Sequence, residues 1–206
     1  WEGGVARSIA SKGSSGELFD YLAAEVLSRA DEPVKRFLLS VSVLDEFTPE
    51  LCDALLESTG SLRTCQEIEQ RYGLIASVTL DGDRRSYRFH TLLRQFLRET
   101  LRREDPDGYR RLQLRAADLL RGSDPARAIE HYLEARQQAE ASACLAESAE
   151  ALVQNGNPQA LLRLLERIPE PWRAGDARLC YWEAEARRLV GDVWLAIQKA
   201  ESAIAL

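Results

Sequence analysis

The sequence is poor in residues that bind metals or form disulfides. It has 206 residues with two histidines, four cysteines and no C-x-x-C pair. A zinc site needs about four such ligands close together, and the two histidines are far apart, so we expect no metal centre. The cysteines are widely spaced within apolar helical patterns, which predicts reduced, packed thiols and a cytoplasmic location: Cys52, Cys65, Cys144 and Cys180.

Long apolar runs, a positive net charge and catalytic motifs are also absent. The sequence contains no run of about 18 apolar residues, so it predicts no membrane-spanning helix. A net charge of −6 argues against a general nucleic-acid binder, which normally presents a basic surface. Without a G-x-S-x-G or H-E-x-x-H set, the chain is not expected to be an enzyme. Its 45% hydrophobic and 29% charged residues are typical of a soluble protein with one large domain or two small ones.

Residues 1–16 are rich in glycine and serine and are predicted to be a linker. A phosphate-binding loop requires G-x-x-x-x-G-K-[ST], whereas here Lys12 follows Ser11 and precedes Gly13. The first residue, Trp1, and the last, Leu206 on an apolar helix, lead us to expect a piece of a longer protein.

After the linker, capping residues, prolines and glycines indicate where four helices begin and end. The first predicted helix begins at the capping box of Ser14 and Glu17. The second begins at Asp31, with Pro33 in its first turn, and its apolar face consists of Val34, Phe37, Leu38 and Val41. The next two run from Thr48 to near Gly60, and from the capping box Thr64 and Glu67 to Gly73.

The period then changes to that of a strand. One side carries Leu74, Ala76, Val78 and Leu80 and the other Ile75, Ser77 and Thr79, as expected of a strand with one buried face. Asp81-Gly82 predicts a hairpin turn, and the return strand places Tyr87 and Phe89 opposite Ser86 and Arg88. The next helix has apolar residues spaced for burial, namely Leu92, Leu93, Phe96, Leu97 and Leu101. Residues 17–105 are thus predicted to form a winged-helix-like domain with one β-hairpin.

Residues 106–206 are predicted to form antiparallel helical repeats of the tetratricopeptide (TPR) kind, continuing beyond Leu206. Gly122, Gly156 and Gly191 are spaced by 34 and 35 residues and end successive helices. Small residues that allow close helix packing recur at Ala128 and Ala135, and again at Ala196 and Ala203. The middle copy is degenerate, with Leu162 and Pro169 in those two places. The predicted fold class is therefore mainly α.

His90, where the return strand meets the helix, has three candidate roles. It can be a helix-start residue whose ring is bonded locally or exposed. A general base is disfavoured, because no carboxylate or nucleophile is placed beside it. A phosphate contact is chemically sensible, because a helix N-terminus already favours anions and an imidazole adds a donor.

The order of elements and the stretch FHTLLRQFL are similar to the winged-helix region of signal-transduction ATPases with numerous domains (STAND ATPases), where Met-His-Asp precedes an apolar helix. Phe89, His90 and Thr91 take those places. The closest resemblance is to large LuxR-type, MalT-like regulators, in which Tyr-Arg-Phe-His-Pro-Leu-Phe is common and residues 87–93 are similar. Three further stretches resemble that group: FDYLAAEVL (19–27), VKRFLLSVSVLDEFTPELCDALL (34–56) and ARAIEHYLEA (126–135).

The resemblance implies that His90 contacts the β-phosphate of ADP. It also implies an upstream domain that holds ATP or ADP with magnesium, through motifs that this chain lacks. The chain itself is therefore expected to carry no cofactor and to bind nucleotide weakly or not at all. Thr91 differs from both the Asp and the Pro of the relatives, so only His90 is carried over.

The implied protein is a cytoplasmic ATPase that regulates transcription. The winged helix would sense the nucleotide state, and the repeats would relay binding of a small-molecule or protein effector. DNA would be bound only by another domain, and the native-length protein would self-associate when active.

Two surfaces allow other interpretations. An arginine group could contact DNA phosphates, but helix 64–72, the recognition helix in that case, carries two glutamates against one arginine. A solvated or domain-docking face is favoured for this group: Arg84, Arg85, Arg88, Arg94, Arg98, Arg102 and Arg103. Four aromatic residues could line a sugar- or peptide-binding groove, although a core role is favoured: Trp172, Tyr181, Trp182 and Trp194.

The rival functions are a DNA-binding winged helix with a helical dimerisation region, and a TPR-like scaffold that binds peptides or proteins.

Overall fold

The computed structural model describes residues 30–79 and 85–206, which fall into two compact units divided between Glu104 and Asp105. The predicted linker, the predicted helix after Ser14 and the predicted Asp81-Gly82 turn lie outside the described residues. Within them, eleven α-helices and one three-stranded antiparallel sheet are present. The predicted fold class, mainly α with a winged-helix-like module and antiparallel helical repeats, is confirmed.

Three helices open the described part of the first unit, and their bounds are α1 (Glu32–Val41), α2 (Pro49–Leu56) and α3 (Ser61–Glu67). The apolar face predicted for α1 is buried. α2 begins after Thr48, whose hydroxyl accepts a hydrogen bond from the Leu51 amide at 3.3 Å.

The predicted capping box of Thr64 and Glu67 is wrong, because α3 already begins at Ser61. Asp53, near the end of α2, accepts a hydrogen bond from the Ser61 amide at 3.0 Å and supplies the cap from a distance. Hydrogen bonds from Ser61 also lower the pKa of Asp53. Gly60 has φ +94°, and this left-handed conformation lets the chain enter α3 sooner than the capping pattern indicates.

The predicted stop at Gly73 is confirmed. After α3 the chain makes a wider, π-helical turn over Ile68–Tyr72. The Gly73 amide donates to the carbonyls of Ile68 at 3.0 Å and Glu69 at 3.2 Å, and Gly73 has φ +61°. The left-handed glycine therefore ends the helix and turns the chain into the sheet.

The sheet contains β1 (Glu46–Phe47), β2 (Ile75–Thr79) and β3 (Arg85–Phe89) in the order β1-β3-β2. The hairpin strands β2 and β3 agree with the prediction. β1 has only two residues, too few to show alternation in the sequence.

The buried face of the sheet is partly different from the predicted one. Tyr87 and Phe89 are buried on β3, as predicted. Ile75 pairs with Phe89 and is buried, whereas Ala76, Ser77 and Val78 are exposed. Directly paired residues share a face, so the register to Phe89 decides which side of β2 is packed.

Helix α4 (Thr91–Glu104) closes the first unit. It buries Leu93, Leu97 and Leu101, which are four residues apart, but Leu92 is 40% exposed and Phe96 is half-buried. The wider apolar face predicted for this helix is therefore wrong at Leu92. One residue is a rotation of about 100° around a helix, which turns Leu92 away from the packed stripe.

We predict that Leu97→Ala will lower the free energy of unfolding of the first unit by about 2–5 kcal/mol, because it removes buried methyl groups and leaves a cavity. Leu92→Ala is the matched control in the same helix and should change this free energy by about 0.5 kcal/mol or less. Chemical denaturation followed by circular dichroism measures both. Equal losses for the two variants would contradict the packing described here.

The second unit contains seven helices: α5 (Pro106–Leu120), α6 (Pro125–Glu134), α7 (Gln138–Gln154), α8 (Pro158–Arg167), α9 (Glu170–Ala174), α10 (Ala177–Leu189) and α11 (Val193–Ala205). α5 packs on α6, α7 on α8, and α10 on α11, and successive pairs stack. The predicted repeat boundaries fall differently: α6 and α7 lie between Gly122 and Gly156 and pack on each other, and α8, α9 and α10 lie between Gly156 and Gly191.

The repeat helices show the predicted close packing. Ala128, on α6, and Ala196, on α11, are 0% and 7% exposed, at the places where small residues were expected. In the degenerate middle copy, α8 ends at Arg167, and the chain continues through an extended Ile168 and Pro169 into the short α9. Pro169 lacks a backbone N–H donor, so α8 and α9 do not join into one long helix.

Candidate functional site

His90 lies between the end of β3 and the first residue of α4, with an exposed side chain. Its carbonyl accepts the first hydrogen bond of α4, from the Arg94 amide at 3.0 Å. The amides of the first helical turn precede any intrahelical acceptor and give the helix start a partial positive charge. His90 therefore lies at a helix start, where an anion is favoured.

Arg94, in the first turn of α4, is anchored by three backbone carbonyls and a carboxylate. Its Nε lies 3.1 Å from the Ser42 carbonyl oxygen and 3.0 Å from that of Leu44, and Nη2 lies 3.4 Å from that of Val43. Nη1 forms an ion pair with Asp45. One guanidinium thus holds the four residues that follow α1 against the first turn of α4.

Arg88, on the outer face of β3, is also engaged. Glu46 of β1 accepts from Arg88 Nε at 2.9 Å and Nη2 at 2.6 Å, and from the Ser86 hydroxyl at 2.6 Å. These bonds join the β1 and β3 strands. The predicted arginine group is therefore not one uniform basic surface; Arg84 lies outside the described residues.

The helix that would read DNA in a winged helix, α3 with the turn after it, has no excess of positive charge. Arg71 lies 3.3 Å from Glu67 and 3.4 Å from Asp31, and its guanidinium lies 5.2 Å from the centre of the Tyr72 ring. Two carboxylates thus neutralise Arg71, and Glu67 and Glu69 balance Arg63 and Arg71 on α3 and the turn after it, which argues against phosphate binding there.

The four cysteines are buried and free. A hydrogen bond with Cys65, together with burial, raises the pKa of the Cys52 thiol, and burial raises the pKa of Cys144 and Cys180. Protonated, buried thiols are poor nucleophiles.

Within residues 30–79 and 85–206, no group of three His, Cys, Asp or Glu side chains could hold a metal ion. In the same ranges, no helix has both the length and the apolar character needed to cross a membrane.

The four aromatic residues considered for a binding groove are not core residues. Trp172, Tyr181 and Trp194 are 46%, 55% and 67% exposed, and Trp182 is half-buried with its ring 5.0 Å from that of Tyr181 in an edge-on arrangement. The favoured core prediction is therefore wrong. Cysteine and alanine take the packed positions of these helices, since Cys180, Ala184 and Ala196 are buried there, and the large rings lie outside.

Glu183, on α10, is the buried ionic centre of the second unit and is 1% exposed. Its Oε1 accepts from Arg187 Nε at 3.0 Å, and its Oε2 lies 3.2 Å from Lys199 Nζ and 3.9 Å from Arg173 Nε. Arg187 also pairs with Asp192 at 3.2 Å. One carboxylate thus links α9, α10 and α11.

We predict that Glu183→Gln will lower the free energy of unfolding of the second unit by about 3–5 kcal/mol, because three cations lose their buried counter-charge. Glu185→Gln on the same helix removes only a more exposed pair with Arg188 and should cost about 1 kcal/mol or less. Thermal and chemical denaturation of both variants tests this. A Glu183→Gln protein as stable as the control would contradict a structural role for the buried carboxylate.

Neither Arg94 nor Glu183 was recognised as an anchor from the sequence. Arg94 appeared only as one of seven arginines, and its acceptors lie about 50 residues earlier in the chain. Glu183 offers a weak signal, because Arg187 follows it at the i,i+4 spacing of a helical ion pair.

The fold and the site define a winged-helix module followed by antiparallel helical repeats. Residues 23–109 match the family model of the MalT winged helix domain. With the curated relatives below, this match shows that the chain carries a MalT-like winged-helix region followed by a helical region, as the resemblance predicted.

Two curated relatives are named "HTH-type transcriptional regulator MalT". The protein from Vibrio cholerae serotype O1 is 28% identical over 187 residues, covering 89% of this chain and 20% of that protein. The protein from Vibrio parahaemolyticus is 34% identical over 122 residues, covering 59% of this chain and 13% of that protein. The chain thus spans a fifth or less of the length of these two relatives.

A solved structure is also similar: a STAND protein with a tetratricopeptide repeat sensor from Pyrococcus horikoshii. Its sequence identity is 18% and its TM-score 0.46, over 94% of this chain and 34% of that one.

Proposed function

We propose that the chain is the regulatory, non-catalytic middle part of a STAND-type ATPase that controls transcription. The observation that carries this proposal is the position of His90, exposed at the anion-favouring start of α4, in a unit that matches the MalT winged helix domain. The curated relatives support a regulatory role, since their names describe transcriptional regulators.

In this proposal, ATP or ADP with magnesium is held by an upstream nucleotide-binding domain of the same chain, which supplies the chemistry. His90 adds one donor to the phosphates of ADP. A single charge-assisted hydrogen bond contributes about 1.5–3 kcal/mol, too little to hold a nucleotide alone. The residues described here therefore suit a sensor of bound nucleotide and not an independent binding site.

The His90 contact would distinguish the two nucleotide states. With ADP bound, it would stabilise a resting arrangement, and with ATP it would be lost, so that the equilibrium moves towards an active, self-associating form. The size of the shift is limited by the difference in His90's interaction with the two nucleotides.

The helical repeats would relay binding of a small-molecule or protein effector. Their exposed tryptophan and tyrosine rings support this part of the proposal, because amphipathic aromatic side chains are enriched at binding surfaces. DNA would be bound by another domain of a cytoplasmic protein.

Two rival functions make different predictions. A DNA-binding winged helix with a helical dimerisation region would show salt-sensitive, micromolar DNA binding by residues 17–105. We expect no such binding in a low-salt gel shift, since Glu46 and Glu67 neutralise arginines near the relevant surface. A repeat scaffold that binds peptides would show no coupling between His90 and any nucleotide.

We predict that His90→Ala will weaken ADP binding by the native-length protein by about tenfold or more, equivalent to about 1.4 kcal/mol, and leave ATP binding little changed. The physical reason is that a donor to the ADP phosphates is removed. Isothermal titration calorimetry with both nucleotides measures the difference.

His131→Ala is the matched control, because His131 is the other histidine of the chain and lies in the second unit. It should leave both affinities unchanged. Equal ADP affinity for His90→Ala and the unaltered protein, or no nucleotide binding at all, would refute the sensor role and favour the scaffold.

A further inference from the structure

We propose that Arg94 is the positioning residue for His90. By holding the start of α4 against the segment that follows α1, it sets where the imidazole lies relative to the nucleotide phosphates. This inference rests on the proposed sensor role of His90, but it concerns a different side chain and fails in a different way.

The first support is the completeness of the Arg94 contacts. All three nitrogens of its guanidinium face acceptors: the carbonyls of Ser42, Val43 and Leu44, and the carboxylate of Asp45. Its side chain is only 21% exposed. Such a planar set of donors fixes an orientation, which the single ammonium group of a lysine cannot reproduce.

The second support is that the segment needs these donors. Ser42, Val43 and Leu44 are 0%, 1% and 1% exposed. They follow the last residue of α1, where carbonyls have no further helical turn to bond to. Arg94 therefore satisfies buried acceptors that otherwise face a large desolvation cost, and this ties the segment and α4 into one rigid element.

The third support is the direct connection to His90. The Arg94 amide donates to the His90 carbonyl at 3.0 Å, so one residue binds His90 through its backbone and the core segment through its side chain. On the other side, Phe89 holds the chain by packing its ring 5.3 Å from that of Phe47. His90 is thus fixed between two anchored residues while its own side chain stays exposed.

A purely electrostatic role for Arg94 predicts something different. If its positive charge attracted the phosphates directly, a lysine in its place would suffice. If Arg94 acts by geometry through His90, lysine fails although the charge is retained, and the failure disappears once the imidazole has been removed.

The test is a double-mutant cycle on the native-length protein. Arg94→Lys, His90→Ala and the combined variant are compared with the unaltered protein by calorimetry with ADP and with ATP. We expect Arg94→Lys to weaken ADP binding about three- to tenfold, to change ATP binding less than about twofold, and to add less than about 1.5-fold in the His90→Ala background. Arg102→Lys, an exposed arginine later in α4, is the matched control and should change neither affinity.

A second measurement uses the 206-residue chain alone. Its two histidines, His90 and His131, give two sets of imidazole signals in a proton–carbon correlation spectrum. Arg94→Lys should move the His90 signals and leave those of His131, in the second unit, unchanged. A general loss of folding would move both sets and also lower ADP and ATP affinity together, and this result would overturn the proposal.

Three further results would overturn it. ADP affinity unchanged by Arg94→Lys would show that charge suffices or that Arg94 has no role, even if His90→Ala still weakens ADP. An equal loss with and without His90 would show that Arg94 acts independently of the imidazole. If His90→Ala itself has no effect, the proposed sensor function fails first, and the positioning role fails with it.

Discussion

Buried carbonyl groups need donors, and in the first unit the guanidinium of Arg94 meets this requirement for the segment after α1. These contacts set the depth and rotation of the helix that carries Arg94 against the segment after α1. β3 runs directly into that helix, so the position of the sheet follows as well. Glu46 then joins the short β1 to β3 through Arg88 and Ser86. The exposed His90 gains a defined place from the contacts of its neighbours, the packing of Phe89 on Phe47 and the anchoring of Arg94.

In the second unit, the buried polar group that needs partners is a carboxylate, that of Glu183, and its partners are cations. Small residues such as Ala128 and Ala196 allow close helix packing without polar groups. Where the middle repeat breaks at Pro169, the short α9 places Arg173 near the buried Glu183. Arg187 and Lys199 complete the neutralisation from the two helices of the last pair. The same array of helices thus contains interfaces packed by small apolar residues and one interface held by buried ion pairs.

Periodicity predicted most of the helices, the buried faces of α1 and β3, and the repeat of 34 and 35 residues. It failed where a distant partner decides the outcome. β2 buries Ile75 because of its pairing with Phe89, and α3 begins at Ser61 because Asp53 caps it from the preceding helix. The candidate site divides in the same way: His90 was found from its place between strand and helix and from a family resemblance, whereas the acceptors of Arg94 become apparent only in three dimensions.

The break in the middle repeat also limits how this array can evolve. Repeat proteins commonly grow and shrink by unequal recombination that inserts or removes one whole period. In a regular array such an event leaves every interface unchanged. Here, the period between Gly156 and Gly191 contains Arg173, Glu183 and Arg187, so its removal would take the buried carboxylate away and leave Lys199 on α11 without it. The loss or gain of a period at this point would therefore change the charge balance of an interface, whereas the packing of alanines such as Ala128 has no charge to balance.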